Sequence, residues 1–155
     1  MKILMVCLGN ICRSPLAEGI LRKKIEERGL DWEVDSAGTG SWHIGEKPDP
    51  RSILTARKHG IDITYQRARQ LQPADLDRFD LILAMDQSNY RDIMRFAISD
   101  DQKSKVHLIM NFHRPGNNEA VPDPYWDDDG FEKVYRMLDE ACDKLIEHFS
   151  KHPVA

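Results

Sequence analysis

The chain has 155 residues, a formal net charge of −4 at pH 7 and a sequence pI near 5.8. This length suits one domain with its own core, so we expect a single domain over residues 1–155. The acidic balance argues against a general nucleic-acid binder, and no apolar run reaches the roughly 18 residues of a membrane span. The N-terminal apolar run is too short for a secretory signal. Three cysteines do not suit a disulfide framework, so we expect a reducing, cytoplasmic environment.

Apolar strands and helices alternate along the chain. A buried strand is predicted over residues 2–7, followed by a helix that Ser14 caps, with Pro15 at its first position and Gly29 at its end. The later predicted elements are strands over 32–35, 80–85 and 106–110, a helix over 51–60 and a final helix over 127–149. The aspartates 127–129 are interpreted as the solvated first turn of the final helix. This alternation predicts an α/β fold of three αβα layers, with helices on both faces of a parallel sheet.

The stretch CLGNICRSP, residues 7–15, joins the first strand to the first helix. In an open parallel sheet, ligands bind beyond the carboxyl ends of the strands. A loop entering a helix there presents backbone N–H groups and the positive end of the helix dipole, and Arg13 adds a planar fork that matches two phosphate oxygens. The same field favours the thiolate form of a cysteine, which is its nucleophilic form. The stretch therefore predicts phosphoryl transfer to the sulfur of Cys7.

Three alternative roles for this stretch have less support in the sequence. An isolated cysteine at the end of a strand is usually a core residue, but the spacing of Gly9 and Arg13 and the Ser-Pro pair favour a phosphate site. A zinc site built on Cys7 and Cys12 would need two more ligands, and the histidines show no paired spacing. A Walker phosphate loop is excluded because no Gly-Lys-Ser/Thr occurs.

A general acid is needed as well, because a thiolate that attacks a phosphate ester must expel an alkoxide or phenoxide. A positioned acid speeds that step by roughly 10² to 10⁴. Asp123 in VPDPYW is the candidate, since the flanking prolines restrict its backbone. Tyr125 and Trp126 are placed to wall a slot for an aromatic ring. On spacing alone, a simple turn aspartate explains Asp123 equally well.

The whole set of motifs resembles the low-molecular-weight protein tyrosine phosphatases. The segments CLGNICRSPLAEG, VDSAGTG, PDPR, ARQ, LILAMDQSNYRD and DPYW occur in the order and spacing of that family, over residues 2–149. The resemblance implies a four-stranded parallel sheet flanked by helices, with a phosphate-binding loop between the first strand and the first helix. It also implies hydrolysis of phosphotyrosine monoesters through a cysteinyl-phosphate intermediate, without a metal or any other cofactor.

The resemblance assigns roles to individual residues. Cys7 would be the nucleophile, Arg13 the phosphate clamp, and Asp123 the general acid and later the base for the hydrolytic water. Ser14 would hydrogen-bond the Cys7 sulfur, and Cys12 would form a reversible disulfide with Cys7 under oxidation. The slot for phosphotyrosine would be lined by Trp42, Tyr125 and Trp126. The remainder of the phosphate-binding loop would be Leu8, Gly9, Asn10, Ile11 and Cys12.

Three further positions support or flank the loop. The resemblance implies that Asn10, supported by Ser36, holds the loop in a strained shape, and many family members add a histidine that supports this asparagine. Gln66 occupies the position of that histidine, and because glutamine also hydrogen-bonds, we expect weaker loop support without loss of activity. Asp86, which follows the third strand at the functional edge of the sheet, is either a rim residue or a structural anchor.

Three rival functions use related features. A thioredoxin-coupled arsenate reductase shares the Cys-x5-Arg loop but needs two further redox cysteines, and outside the loop only Cys142 remains, in the apolar stripe of the last helix. A protein-arginine phosphatase is associated with a threonine where this chain has Ile11, which suits an aryl ring better. A silent phosphate-binding module would be expected to lack Cys7 or Asp123.

The resemblance also implies the partners. We expect phosphotyrosine-containing proteins, with a tyrosine kinase as one candidate. Neither nucleic acid nor a membrane is expected as a partner, and a monomer is the simplest expectation for the oligomeric state.

Overall fold

The structure is a computed structural model and describes residues 1–152. Within these residues, four parallel strands form one sheet in the order β2-β1-β3-β4: β1 (Lys2–Cys7), β2 (Glu33–Gly38), β3 (Leu81–Ala84) and β4 (Val106–Leu108). The helices are α1 (Arg13–Glu27), α2 (Pro50–Lys58), α3 (Asp75–Arg78), α4 (Gln87–Met94), α5 (Asp100–Ser104) and α6 (Gly130–Lys151). Two 3-10 turns cover Ile109–Phe112 and Pro124–Trp126.

The predicted α/β fold, with a four-stranded parallel sheet flanked by helices, is confirmed. The central position of β1 in the sheet explains why every residue of this strand after Lys2 is apolar. Ile3 and Met5 point to a core shared with α1, α2 and α6, whereas Leu4 and Val6 point to a second core beside α3 and α4. All four side chains are fully buried, as expected for a strand covered on both faces.

The predicted strand boundaries shift where small or polar residues continue a strand. β2 runs to Gly38 rather than ending at residue 35, because Ser36 and Gly38 pair with β1 although they carry no apolar signal. β4 ends at Leu108, and the apolar residues that follow it form the 3-10 turn. Helices α3, α4 and α5 are absent from the sequence prediction because each has eight residues or fewer, too short for a clear apolar period.

Two predicted helix starts are wrong. Ser14 does not cap α1: the helix begins at Arg13, with Cys12 at the N-cap position and no side-chain capping bond. The aspartates 127–129 do not form the first turn of α6, which begins at Gly130. They make a turn of their own, in which the Asp127 carboxylate accepts a hydrogen bond from the Asp129 N–H (3.0 Å). The start of α2 is shifted by one residue, to Pro50, and Asp49 caps it.

The sheet brings three distant segments to one edge. The loop after β1, the residues after β3 and the segment 121–126 meet beyond the carboxyl ends of the strands, and the Val121 N–H donates to the Met85 carbonyl (2.8 Å). This edge is where ligands bind in open α/β sheets. Within residues 1–152, no helix has both the length and the apolar character needed to cross a membrane.

Candidate active site

The loop from Cys7 to Arg13 lies tightly against the end of β2. A Cβ atom at Gly38 would lie 2.8 Å from the Leu8 carbonyl oxygen, so only glycine permits this close approach. Asn10 has a φ of 56°, in the left-handed region that few residues other than glycine and asparagine adopt, and its N–H donates to the Cys7 sulfur (3.3 Å). The loop therefore curls around the Cys7 sulfur.

A chain of buried hydrogen bonds orients this sulfur. The Asn10 side-chain amide donates to the hydroxyl oxygens of both Ser14 (2.8 Å) and Ser36 (3.0 Å). Since the Ser14 oxygen accepts from Asn10, its own proton is free to donate to the Cys7 sulfur, 3.0 Å away. Ser36 in turn donates to the buried carboxylate of Glu18 (2.8 Å). Donors therefore converge on Cys7, which stabilises a negative charge on its sulfur.

Gln66 does not play the role expected from its position. Its side-chain amide donates to the Pro15 carbonyl in the first turn of α1 (3.0 Å). The carbonyl oxygen of the Asn10 side chain accepts instead from the backbone N–H of Arg69 (3.0 Å). Support for Asn10 thus comes from the two serines and the Arg69 backbone, and Gln66 braces the start of the helix.

Arg13 is held by groups from two other segments. Its Nη1 donates to the Asp86 carboxylate (2.7 Å) and to the Val121 carbonyl (3.0 Å), and its side chain is 3% exposed. Although burial opposes the shift, the Cys7 sulfur and the Asp86 carboxylate raise the pKa of Arg13 above its ordinary value. Asp86 also caps α4 by accepting from the Asn89 N–H (2.8 Å). Of the two interpretations of Asp86, the structure supports the anchor.

A cleft of about 270 Å³ opens above the loop. Its floor is polar, with Cys7 and Arg13, and its walls are largely apolar. Trp42, Tyr125 and Trp126, the three aromatic residues expected at a phosphotyrosine slot, all line the cleft. The remaining lining residues are Leu8, Gly9, Ile11, Cys12, His43 and Asp123. Trp42 and Trp126 are 71% and 88% exposed, so they stand at the rim. The cleft thus suits an aromatic ring that carries an anionic group at its tip.

Asp123 lies in the wall of this cleft. One carboxylate oxygen accepts from the Tyr125 N–H (3.1 Å), which is the bond of a turn aspartate. The other oxygen is 3.9 Å from Nη2 of Arg13 and faces the cleft. The turn interpretation of Asp123 therefore holds, and the turn places the carboxyl group in the wall of the cleft, where its role as general acid stays a prediction.

Comparison with known proteins identifies the family. The sequence model of the low molecular weight phosphotyrosine protein phosphatases matches residues 2–154. The chain belongs to this family. The low molecular weight phosphotyrosine protein phosphatase of Schizosaccharomyces pombe is 44% identical, over 88% of this chain and 89% of its own length.

Solved structures of related proteins share the fold. A protein tyrosine phosphatase from Entamoeba histolytica, solved with Hepes in its active site, matches with a TM-score of 0.92 and 35% identity over 99% of both chains. DARP, a Drosophila arginine phosphatase, matches with a TM-score of 0.90 and 35% identity over 96% of this chain and 98% of its own. The chain is accordingly a protein phosphatase of the low molecular weight family, and a hydrolase.

The two other cysteines of the phosphatase differ from Cys7 in their surroundings. Cys12 is 4% exposed, and burial, followed by the nearby Asp49 carboxylate, raises its pKa well above the ordinary value. Cys142 is fully buried among the apolar side chains of α6, and burial raises its pKa to about 12. A disulfide relay through Cys142, as an arsenate reductase would need, finds no support in this position. Over the described residues, no three His, Cys, Asp or Glu side chains form a metal-binding group.

Three groups around the site of the phosphatase were not predicted from the sequence. Glu18 is 2% exposed and accepts from Ser36 and from the Tyr65 hydroxyl (2.9 Å). Burial raises its pKa, against the effect of both hydrogen bonds. The other two groups are Asp49 and Arg51, which form an ion pair behind the cleft. The role of Glu18 is visible only from its hydrogen bond with Ser36, 18 residues away along the chain. The ion pair of Asp49 and Arg51 could have been predicted, because both residues lie in the PDPR motif.

Proposed function

We propose that Cys7, Arg13 and Asp123 carry out the hydrolysis of phosphotyrosine monoesters in proteins. One observation carries this proposal: the buried Cys7 sulfur, which receives hydrogen bonds from Asn10 and Ser14, lies at the floor of an aromatic-walled cleft that also contains Arg13 and Asp123.

The first step transfers the phosphoryl group to sulfur. The Cys7 thiolate attacks phosphorus, so an S–P bond forms as the P–O bond to the tyrosine ring breaks. Arg13 binds two phosphoryl oxygens with its planar fork and stabilises the charge that they carry in the transition state. Asp123, protonated at this point, donates its proton to the departing phenolate oxygen and becomes a carboxylate.

The second step releases inorganic phosphate. The Asp123 carboxylate takes a proton from a water molecule, whose oxygen attacks phosphorus as the S–P bond breaks. The electron pair returns to the Cys7 sulfur. Hydrogen bonds from the Ser14 hydroxyl and the Asn10 N–H stabilise the negative charge there. Asp123 is left protonated and Cys7 is left as a thiolate, so the site is ready for another turnover.

A second candidate substrate is phosphoarginine, favoured by the likeness to the Drosophila arginine phosphatase. Ile11 argues against it here, because this side chain lines the cleft next to the phosphate site. A flat aryl ring packs favourably on an apolar side chain, whereas a guanidinium group would lose water without gaining a hydrogen bond.

Several finer features belong to this proposal. The phosphatase acts as a single domain and as a monomer, in the reducing cytoplasm that its three free cysteines favour. Its substrates include a tyrosine kinase. Peroxide oxidises Cys7 to a sulfenic acid, which Cys12 converts to a disulfide with release of water, and a thiol reductant restores both thiols.

Phosphate release from a phosphotyrosine peptide tests the central proposal. The assay contains excess chelator and compares the native protein, Cys7→Ser and Cys12→Ser. Turnover that survives chelation and disappears in Cys7→Ser is expected. No release by the native protein, with release from a phosphoarginine peptide instead, would show the second candidate to be correct. After peroxide and then dithiothreitol, Cys12→Ser should recover less activity than the native protein; equal recovery would contradict the disulfide.

A further inference from the structure

Arg51 occupies an unusual place behind the cleft. It lies in the first turn of α2 and is not among the residues that line the cleft. Its Nε and Nη2 donate to both oxygens of the Asp49 carboxylate (3.0 and 2.9 Å), and its Nη1 donates to Asp128 (2.5 Å). The guanidinium carbon is also 4.7 Å from the ring centre of Phe131 and 5.4 Å from that of Tyr125. One side chain therefore contacts four residues from two segments.

The Asp49 side of this contact is attached to the phosphate-binding loop. Asp49 is 9% exposed, and its backbone N–H donates to the Ile11 carbonyl (2.8 Å). Three residues later, the Ser52 hydroxyl donates to the Cys12 carbonyl (3.3 Å). Although burial opposes it, hydrogen bonds from Arg51 lower the pKa of Asp49, so its carboxylate is charged at neutral pH. The guanidinium group thus has a fixed position relative to the loop that surrounds Cys7.

The other side of the contact belongs to the segment that carries the general acid. The Tyr125 ring forms one wall of the cleft, and the Tyr125 N–H binds the Asp123 carboxylate (3.1 Å). Asp128 is highly exposed, and Arg51 is its salt-bridge partner. The ring that Arg51 contacts and the backbone N–H that binds the Asp123 carboxylate thus belong to the same residue.

We propose that Arg51 is a positioning residue that fixes the width of the aryl slot and the placement of Asp123, by holding the Tyr125 ring at a set distance from the phosphate-binding loop. This inference rests on the proposed function. An arginine suits the task because its planar group pairs with a carboxylate through two hydrogen bonds while its face stacks on aromatic rings. Lysine carries the same charge but has neither the fork nor the flat face.

Three variants test this role. Arg51→Gln removes the charge, Arg51→Lys keeps it, and Arg57→Gln is the matched control, since Arg57 is an exposed arginine near the end of the same helix. The substrates are a phosphotyrosine peptide, para-nitrophenyl phosphate, whose leaving group needs little protonation, and a phosphoserine peptide, which lacks the aryl ring. The inhibition constant of inorganic phosphate reports on the phosphate-binding loop alone.

The expected pattern separates positioning from general damage. In Arg51→Gln, KM for the phosphotyrosine peptide should rise about three- to thirtyfold, the range of one cation–π contact, with the inhibition constant of phosphate unchanged. Its kcat should fall more for the phosphotyrosine peptide than for para-nitrophenyl phosphate, and any advantage over phosphoserine should shrink. Arg51→Lys should behave like Arg51→Gln, and Arg57→Gln like the native protein.

A double-mutant cycle tests directly whether Arg51 acts through the Tyr125 ring. If Arg51 acts through the Tyr125 ring, Arg51→Gln should change KM far less in a Tyr125→Leu background than in the native one. The inference is overturned if the two changes are additive, if kcat falls equally for all esters, or if phosphate inhibition weakens in parallel with KM. If the native protein hydrolyses none of these esters, the proposed function itself fails; phosphate inhibition of activity is then unmeasurable, which distinguishes that failure from a failure of Arg51.

Discussion

The two halves of the catalytic cleft are built differently. In the phosphate-binding half, Cys7, Asn10, Arg13 and Ser14 are each at most 3% exposed, and hydrogen bonds from several elements fix their polar atoms. In the half that carries the proposed general acid, the Asp123 side chain is 41% exposed, and the Tyr125 N–H donates to it. The phosphoryl group is the same in every substrate, so a preorganised receptor for it is useful. The polypeptide around the phosphotyrosine varies, and it would meet the exposed rim residues Trp42 and Trp126 rather than the buried loop.

The largest expected effect tests the exposed half. Asp123→Asn should lower kcat for a phosphotyrosine peptide by roughly 10² to 10⁴, because the phenolate would leave without a proton. The loss should be much smaller for an ester of a strongly acidic phenol. Steady-state rates with both esters provide the measurement, and Asp129→Asn, which changes the same charge six residues away, is the control. Equal losses with both esters would contradict the acid role.

The next effect tests the buried half. Arg13→Lys should lower kcat by about 10² to 10³, the usual cost of losing one donor at a developing oxyanion. A lysine cannot bind two phosphoryl oxygens while it also donates to Asp86 and to the Val121 carbonyl. Inhibition by inorganic phosphate should weaken as well. Unchanged phosphate inhibition would mean that Arg13 does not bind the phosphoryl group.

A smaller effect should appear in the second chemical step. Ser14→Ala removes the hydroxyl that donates to the Cys7 sulfur, a charge-assisted hydrogen bond worth about 1.5 to 3 kcal/mol, or roughly ten- to a hundredfold in rate. Phosphocysteine should then accumulate during turnover and be trapped by an alkaline denaturing quench, in which the S–P bond is stable. Ser36→Ala, one hydrogen bond further from the sulfur, should show a weaker form of the same effect. No accumulation in Ser14→Ala would assign this serine to the first step only.

The smallest effect concerns stability. Burial raises the pKa of Glu18 in the folded protein, so the folded state binds the Glu18 proton more tightly than the unfolded state. This term stabilises the fold below the unfolded pKa of about 4.3 and is lost as the pH rises through the folded value. Relative to Glu18→Gln, the native protein should therefore gain stability as the pH falls from 7 to 5. Urea unfolding midpoints of both proteins at both pH values provide the test. A difference in midpoint between the two proteins that is the same at pH 7 and pH 5 would contradict this prediction.

Those parts of the site that are built from residues close together along the chain could be predicted from the sequence. The apolar run of β1, the spacing from Cys7 to Arg13 and the DPYW segment are local patterns, and their chemistry can be inferred from residue types. Contacts between distant segments left no such pattern: Arg13 meets Asp86 across 73 residues, and Arg51 meets Asp128 across 77. Local patterns were also misleading, as at Ser14. A Ser-Pro pair at the start of a helix is typical of a cap, but the Ser14 hydroxyl is directed to the Cys7 sulfur instead.

Gly38 has a consequence for anyone who selects improved variants of this enzyme. It lines no part of the cleft and touches no reacting atom, yet the missing Cβ is what lets the Leu8 carbonyl and the Asn10 N–H pack against the sheet. The Cβ of an alanine at position 38 would push the phosphate-binding loop away from the end of β2, while most of the core would keep its packing. A screen that scores only soluble expression is expected to accept such a variant, and a screen for turnover is expected to reject it. Position 38 is thus a place where the two kinds of selection disagree.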